Sequence, residues 1–441
     1  MKSSNYNILI ERMTDNNQSE YIIYNTYSTS IAILDSEFYN IYTNIDKIDL
    51  NDLNIQKKVK VLKDNGFIID DKIDEFSRIC IEDRINRYSK KSLDLTIAPT
   101  LACNMNCVYC YEEKKFIRMN KEVTNNLINF IENLIKNCNY ETCSVKWYGG
   151  EPLLESEIIK SLSIDLIQLC EKYSIKYTAT IITNGVLLNR DMATMLKETC
   201  NITSAQITID GLKDTHNNNR PIKNGQDSFT TIINNICSIK DILKIFIRVN
   251  IDNDNKNELD ALINYLIDDM KLKNEVTIYP YPIVAKNTTA CDVDISKCIT
   301  AKAFGIIESD FIRKLYNKGA KNSISMLTQS RSASFCTSIC SNSFVIDPEG
   351  FLYPCWDFIG IKDKSIGNIN EPLAITEEYS KWLLLDIPKE CKLCKLLPLC
   401  KGGCPSARLD NYKKPNCYPL LMSLEEKLKI VYEDFKKGGV D

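Results

Sequence analysis

Six strand-like patterns alternate with helix-like ones between Ser92 and Pro282, and this alternation limits the possible folds more than any other feature of the chain. The strand patterns are Leu93–Ile97, Ser144–Trp147, Lys176–Ile182, Ala205–Ile209, Ile245–Asn250 and Glu275–Tyr279. Amphipathic helical patterns lie between them. In Val123–Ile135, residues Leu127, Ile128, Ile131, Leu134 and Ile135 share one face; Ile158–Tyr173 is a second case. Regular β/α alternation predicts a parallel α/β sheet, and six units predict a partial (β/α)6 barrel open on one side. Chemistry in such folds sits at the C-terminal ends of the strands.

Those strand ends carry the chemical signals. After the first strand, the loop Ala98-Pro99-Thr100-Leu101-Ala102-Cys103-Asn104-Met105-Asn106-Cys107-Val108-Tyr109-Cys110-Tyr111 places three cysteines at i, i+4 and i+7. Thiolates are soft ligands that select iron–sulfur clusters, zinc or copper(I). A four-iron cubane needs four ligands; one loop here supplies three and would leave one iron open. The same spacing also fits one face of a helix, but Asn104 and Asn106 are poor helix formers and the loop follows a strand. Tyr148-Gly149-Gly150-Glu151-Pro152 follows the second strand. Paired glycines allow close backbone approach, and exposed N–H groups with the Glu151 carboxylate can meet a zwitterion. Thr183-Asn184-Gly185 ends the third strand and Thr208-Ile209-Asp210-Gly211 the fourth, followed by His216 and Arg220; Arg248-Val249-Asn250 ends the fifth. Asn184-Gly185 and Asp210-Gly211 also read as ordinary turns.

Nineteen cysteines in 441 residues are many, and no apolar export segment accompanies them. In a reducing compartment they read as metal ligands or buried thiols. His216 is the single histidine, which argues against Cys/His zinc sites and leaves one imidazole for acid–base work. A formal net charge of −3 gives no basic field for nucleic acid or an anionic membrane, and no long apolar run offers a membrane span, so a cytoplasmic protein is expected. The C-terminal region holds a second cysteine pattern. Cys340 is followed by nine residues, Gly350, four residues and Cys355; then come Cys391-x2-Cys394-x5-Cys400-x3-Cys404 and Cys417. Asp347-Pro348-Glu349-Gly350 reads as a turn between Phe344–Ile346 and Phe351–Tyr353, which puts Cys340 and Cys355 at the open ends of a hairpin. Taken alone, Cys391, Cys394, Cys400 and Cys404 could form a zinc site. Cys80, Cys138, Cys143, Cys170, Cys200, Cys237, Cys291 and Cys298 are expected as buried thiols.

The N-terminal region reads as a separate unit. Asn7–Ile10, Tyr21–Tyr24 and Ser30–Leu34 are strand patterns, with a polar turn near Asp15–Gln18. Leu53–Asp64 reads as a helix stopped by Asn65-Gly66, before a strand at Phe67–Ile69. Asp71–Lys91 reads as a charged helical linker, Ile306–Tyr316 as a helix in a connecting segment, and Tyr418–Lys436 as a closing amphipathic helix.

The Cys103-x3-Cys107-x2-Cys110 spacing, with an aromatic before the last cysteine, resembles the radical S-adenosylmethionine (radical SAM) enzymes. Tyr148–Pro152 is similar to that family's glycine–glycine–glutamate–proline element, and the C-terminal cysteine spacings are similar to its SPASM extension. The resemblance implies a TIM-like partial barrel with an N-terminal winged-helix-like peptide-binding domain and a C-terminal cysteine-rich iron–sulfur domain. The divisions expected are 1–91, 92–285, a connection 286–335, and 336–441. It implies S-adenosylmethionine and three [4Fe–4S] clusters as cofactors. Cys103, Cys107 and Cys110 would hold the first cluster. Cys340, Cys355 and Cys404, with Cys336 as candidate fourth ligand, would hold one auxiliary cluster; Cys391, Cys394, Cys400 and Cys417 would hold the other. Tyr109 would lie near the adenine, and Gly149, Gly150, Glu151 and Pro152 would hold the methionine amino group. Thr183, Asn184, Thr208, Arg248 and Asn250 would complete the cofactor-binding set.

The implied activity is that of a peptide maturase. A ribosomally made precursor binds through its leader, which adds a strand to the N-terminal unit. A 5′-deoxyadenosyl radical abstracts a hydrogen, and an intrapeptide cross-link forms, expected as a cysteine thioether of the sactipeptide or ranthipeptide kind. A ferredoxin or flavodoxin would supply electrons, with neither nucleic acid nor membrane as partner. Two other readings stand beside this: a sulfatase maturase that makes formylglycine, and a non-catalytic iron–sulfur protein. Sulfatase maturases carry an Asp base directly after the second hairpin cysteine, where this chain has Trp356. Asp357 is one residue further, and in an extended strand that slip would turn it to the other face, leaving it a weak candidate base.

Overall fold

The computed structural model describes residues 1–13, 19–113, 115–285, 294–324, 336–410 and 414–438. The expected turn at Asp15–Gln18 and Cys291 lie outside these residues. Contacts group the described chain into two units. One takes in Met1–Asn86 and Asp386–Asp441, the other Arg87–Ile324 and Cys336–Leu385.

In the first unit, β2 (Asn7–Met13), β3 (Ser19–Asn25) and β4 (Ile31–Leu34) form an antiparallel sheet, while β1 (Lys2–Ser3) pairs with β5 (Ile68–Ile69). Strand alternation sends side chains to two faces. Ile8, Ile10, Ile22 and Tyr24 pack against Leu399, Cys400, Leu421, Leu424 and Leu428 of the C-terminal segment. Ile23 and Leu34 pack against Ile41, Val59, Leu62, Phe67 and Ile68. Both faces are therefore covered, and β2 and β4 are the edge strands, each pairing with β3 alone among the described residues. The helix Leu53–Asp64 has the expected bounds. Asp52 caps it by accepting from the N–H groups of Asn54 and Ile55, and Gly66 takes the left-handed turn after it. The helix Ser36–Thr43 was not read from the pattern; its signal is the cap Asp35, which accepts from Glu37 and Phe38. The linker segment is the helix Glu75–Arg87. Its Asp83 meets Lys401 at 3.3 Å, both side chains 2% exposed, so a buried ion pair ties this helix to the loop after Cys400.

In the second unit, β6 (Ser92–Ile97), β7 (Thr142–Trp147), β8 (Lys176–Thr183), β9 (Ile202–Thr208), β10 (Lys244–Ile251) and β11 (Val276–Pro282) lie side by side in chain order, all parallel. The expected strands are present, each with ends shifted by a few residues. Along each strand an apolar set, such as Leu93, Leu95 and Ile97, is fully buried. The alternate set is polar and half-buried, including Asp94, Lys146, Gln206, Thr208 and Arg248. The helices Lys121–Lys136, Ser156–Lys172 and Ala301–Asn317 cover the expected helical patterns.

The hairpin β12 (Ser343–Ile346) and β13 (Phe351–Tyr353), with β14 (Gly367–Asn368), continues this sheet to nine strands. β12 runs parallel to β6, with Ser343 opposite Asp94 and Ile346 opposite Ile97. The hairpin turn is as expected: the Asp347 carboxylate accepts from the N–H groups of Glu349 and Phe351, and Gly350 is left-handed. The block 336–441, expected as one domain, divides between the two contact units after Leu385. Phe344-Val345-Ile346 is buried on both faces. An apolar run of that kind announces a strand but not which sheet it joins. The C-terminal helix is Leu424–Lys436, shorter than expected because Pro419–Leu421 forms a separate turn. Among the described residues, no helix is long and apolar enough to cross a membrane.

Candidate active site

The cysteine loop after β6 is irregular and contains no helix; Cys107–Cys110 is a turn in which Cys110 N–H donates to Cys107 O at 3.3 Å. Its backbone runs beside residues 219–223. Asn106 N–H donates to Pro221 O at 2.8 Å, Val108 N–H to Asn219 O at 3.0 Å, and Lys223 N–H to Asn104 O at 3.0 Å. Cys103, Cys107 and Cys110, all half-buried, come together on a cavity of about 250 Å³ at the C-terminal ends of the strands.

Two hydrogen-bond networks hold this loop. The first starts at Glu151, which is fully buried. Its carboxylate accepts from Leu153 N–H at 3.0 Å, Thr183 Oγ1 at 2.7 Å and Asn184 N–H at 2.8 Å. Burial raises its pKa against these donors. Asn184 Nδ2 then donates to Asn104 Oδ1 at 2.7 Å, beside the Cys103 sulfur at 3.9 Å. Gly149, Gly150, Thr183 and Asn184 line the cavity, whereas Glu151 and Pro152 do not. The close approach made by Gly150 is to the chain itself: a Cβ there would stand 2.3 Å from Ala102 O. Burial, with Glu151 as the next cause, pushes the Cys103 thiol up to about 12, so a soft metal must displace its proton to bind.

The second network centres on Tyr109. Its hydroxyl donates to Asp210 Oδ2 at 2.5 Å and accepts from Arg220 Nη1 at 2.7 Å and Asn250 Nδ2 at 3.1 Å. Asn250 Oδ1 accepts from Arg248 Nε at 2.8 Å, and the Arg248 guanidinium lies 3.8 Å from the Tyr281 ring centroid. Tyr109, Thr208, Arg220, Arg248 and Asn250 all line the cavity. His216 does not act as an acid or base here. It is fully buried, its Nδ1 accepts from Asp210 N–H at 3.2 Å, and burial followed by the Arg220 charge lowers its pKa to about 3.

A third wall comes from the hairpin. Trp356–Phe358 is a 3-10 turn, not an extended strand, so Trp356 and Asp357 both reach the cavity. The alternation that would have turned Asp357 away does not operate in a tight turn. Trp356 stacks on Tyr148, with ring centroids 5.6 Å apart, and the Lys146 ammonium lies 4.8 Å from the Trp356 ring centroid. Tyr148 and Tyr111 share a short hydrogen bond between hydroxyls. Tyr111, Tyr148 and Trp356 fall in stretches singled out from the sequence but were given no role there, and neither were Tyr281 and Arg220.

The remaining cysteines fall in both units. Cys336 and Cys340 flank the turn Thr337–Ile339, and Cys355 precedes Trp356–Phe358. Cys404 belongs to the other unit, as do Cys391, Cys394, Cys400 and Cys417. Burial and the neighbouring Cys400, Cys394 and Cys417 thiols push Cys391 up to about 11, and Cys400 reaches about 11 as well. Crowded thiols of this kind fit a thiolate-bound cluster. Asn416 N–H donates to Gly402 O at 2.9 Å, and a Cβ on Gly403 would stand 1.5 Å from Asn416 O. Gly403→Ala is therefore expected to force Cys417 away from its three neighbours, with a loss of about four irons per reconstituted chain in an iron assay. Unchanged iron would overturn this expectation. Of the eight cysteines expected as buried thiols, Cys143, Cys170 and Cys200 are buried, while Cys80, Cys138, Cys237 and Cys298 are half-buried. Among the described residues, no three Cys, His, Asp or Glu side chains converge on one point as a single metal ion requires. A cubane distributes its ligands over separate irons and does not impose that convergence.

Residues 97–266 match the model of the radical SAM superfamily. The chain carries a radical SAM domain. The radical SAM family uses S-adenosylmethionine and a [4Fe–4S] cluster, and the donor set fits both. Three thiols, no competing imidazole, a cradle of glycine backbone and two arginines line one cavity. The protein is 26% identical to a cysteine-type anaerobic sulfatase-maturating enzyme of Clostridium novyi over 352 residues, which span 73% of this chain and 90% of that enzyme. Its fold is similar to that of anSMEcpe with bound AdoMet and Cp18Cys peptide: TM-score 0.59, 22% identity, 79% of this chain and 99% of the other. It is also similar to Streptococcus suis SuiB bound to precursor peptide SuiA: TM-score 0.53, 15% identity, 95% of this chain and 98% of the other. At those identities the structures speak for the fold alone. They share the partial-barrel architecture described above.

Proposed function

We propose that this radical SAM enzyme is a peptide maturase that closes a cysteine thioether within a ribosomally made precursor. The observation that carries the reading is the N-terminal unit with β4 at a sheet edge among the described residues, in a chain whose sulfatase-maturating relative aligns with only 73% of it. A leader peptide added along β4 would gain backbone hydrogen bonds and raise the effective concentration of the core peptide. When bound, the cluster and S-adenosylmethionine would supply one-electron C–S cleavage and the means to abstract a substrate hydrogen atom. The chain's own residues do the rest. Cys103, Cys107 and Cys110 would hold the cluster, Gly149 and Gly150 would present backbone to the methionine amino group, and Arg248, Thr208 and Asn250 would bind the carboxylate or ribose. Tyr111, Tyr148 and Trp356 form an aromatic wall that keeps water from the reacting carbon. Cys336, Cys340 and Cys355 in one unit, and Cys391, Cys394, Cys400 and Cys417 in the other, would serve auxiliary clusters able to take up the electron released as the cysteine thiol loses its proton and the C–S bond closes. A ferredoxin or flavodoxin would deliver the electrons.

A second reading, formylglycine formation on a sulfatase-type peptide, is favoured by Asp357, which lines the cavity in spite of its shifted place in the sequence. Intact mass separates the two. The precursor encoded beside this protein, co-expressed anaerobically, is expected to lose about two hydrogens per modified cysteine and to leave no thiol to alkylate. An aldehyde that reacts with hydrazides would establish the second reading. An unmodified precursor would remove the first.

A further inference from the structure

We propose that Asp210 and Arg220 are positioning residues for the cysteine loop, acting through the Tyr109 hydroxyl. A phenol has one hydrogen to donate and two lone pairs to accept with, and the Tyr109 hydroxyl uses all three. Its partners come from three places in the fold: Asp210 after β9, Arg220 after the helix Lys213–Asn219, and Asn250 within β10. One oxygen atom therefore fixes a loop that follows β6 against two distant strand ends and a helix end.

The partners are themselves held. His216 Nδ1 accepts the Asp210 N–H at 3.2 Å, and Asn255 Nδ2 donates to Asp210 O at 2.6 Å. Ser228 Oγ donates to Arg220 O at 2.9 Å. Arg220 also lies between Asn219 and Pro221, whose carbonyls accept from the N–H groups of Val108 and Asn106. The Asp210 carboxylate is fully buried and the Arg220 guanidinium nearly so. Buried opposite charges of this kind hold geometry because loss of either leaves the other uncompensated. A phenylalanine would fill the ring's space and keep a π face, yet take from the Asp210 carboxylate, the Arg220 guanidinium and the Asn250 amide the hydrogen bond each makes to the phenol. The phenol also reaches further, since Asn250 passes its position to Arg248. On this account the aromatic before the last cysteine must be a tyrosine in this chain, and the two cavity arginines are set by the same oxygen.

The test uses the full-length protein, reconstituted anaerobically with iron and sulfide, as Tyr109→Phe, Asp210→Asn and Arg220→Lys. Iron content and the electron paramagnetic resonance spectrum of the dithionite-reduced cluster are recorded with and without S-adenosylmethionine. The expected result is wild-type iron content with S-adenosylmethionine affinity weakened about tenfold in each variant, and an altered spectral shift on its addition. The Tyr109→Phe/Asp210→Asn double variant should be no weaker than the weaker single one, because both act on the same contact, which loses its charge in one variant and its hydroxyl in the other. Affinity within about twofold of wild type at full iron, or losses that add, would overturn the proposal. If Tyr109→Phe fails to hold iron, Arg220→Lys decides. It keeps the charge and loses the planar fork, so unchanged affinity would overturn the proposal and a weakened one would support it.

Discussion

Replacement of Cys103, Cys107 and Cys110 together by alanine is expected to abolish formation of 5′-deoxyadenosine from S-adenosylmethionine while leaving the fold intact. The reasoning separates ligand from scaffold. The three side chains are half-buried at the cavity wall. The loop that carries them is fixed by backbone hydrogen bonds to residues 219–223 and by Gly150 and Glu151 N–H groups donating to Thr100 O and Ala102 O. None of those bonds involves a thiol. Three truncations of this size at a half-buried cavity wall should cost about 1–2 kcal/mol of stability. The checks are the nucleoside product by chromatography, iron content, and the thermal midpoint. Retained cleavage would remove the cofactor assignment; a collapsed thermal midpoint would show that the thiols hold the fold.

Gly150→Ala is expected to be nearly as damaging by a different route. The added Cβ would meet Ala102 O at 2.3 Å, Leu101 O at 2.6 Å and Ala102 C at 2.7 Å. All three are backbone atoms of the segment leading into Cys103, so relief requires the cysteine loop to move. Overpacking of this sort costs about 1–3 kcal/mol in ordinary cores, and more where backbone must shift. The expected outcome is a lower thermal midpoint together with failure to retain the first cluster. Gly225→Ala is the control. A Cβ there meets nothing within 4 Å, and its left-handed φ of +76° limits the cost to about 1–2 kcal/mol. Equal iron content in Gly150→Ala and wild type would refute the argument.

Much of the barrel was legible because its signals are local. Each strand of the six announces itself by four or more apolar and β-branched residues, and each helix by a stripe such as Leu127, Ile131 and Ile135. The cysteine loop and the two glycines were legible because chemistry and backbone geometry restrict residue type there. What could not be read was placement. Nothing in Phe344-Val345-Ile346 says that it will lie beside β6. Trp356-Asp357-Phe358 reads as extended but turns, and the turn brings Asp357 to the cavity. The Glu151 carboxylate, expected to face a ligand, is instead spent on Thr183 and Asn184. Asp210 and Arg220 carry no motif of their own; their part depends on one tyrosine hydroxyl about a hundred residues earlier. Pairings of that length are written in three dimensions and leave no periodic trace.

The place of β12 beside β6 has a consequence for how the protein is made. The two strands that close this flank are separated by about 250 residues of chain. At ribosomal rates of roughly 5–20 residues per second, the cysteine loop leaves the exit tunnel about 12–50 s before its neighbouring strand exists. During that interval β6 presents a bare edge, and Cys103, Cys107 and Cys110 have one side open. Cluster delivery to the nascent chain, oxygen damage to its thiols and edge-to-edge association all compete within that same interval, so yield should respond to translation speed as well as to iron supply.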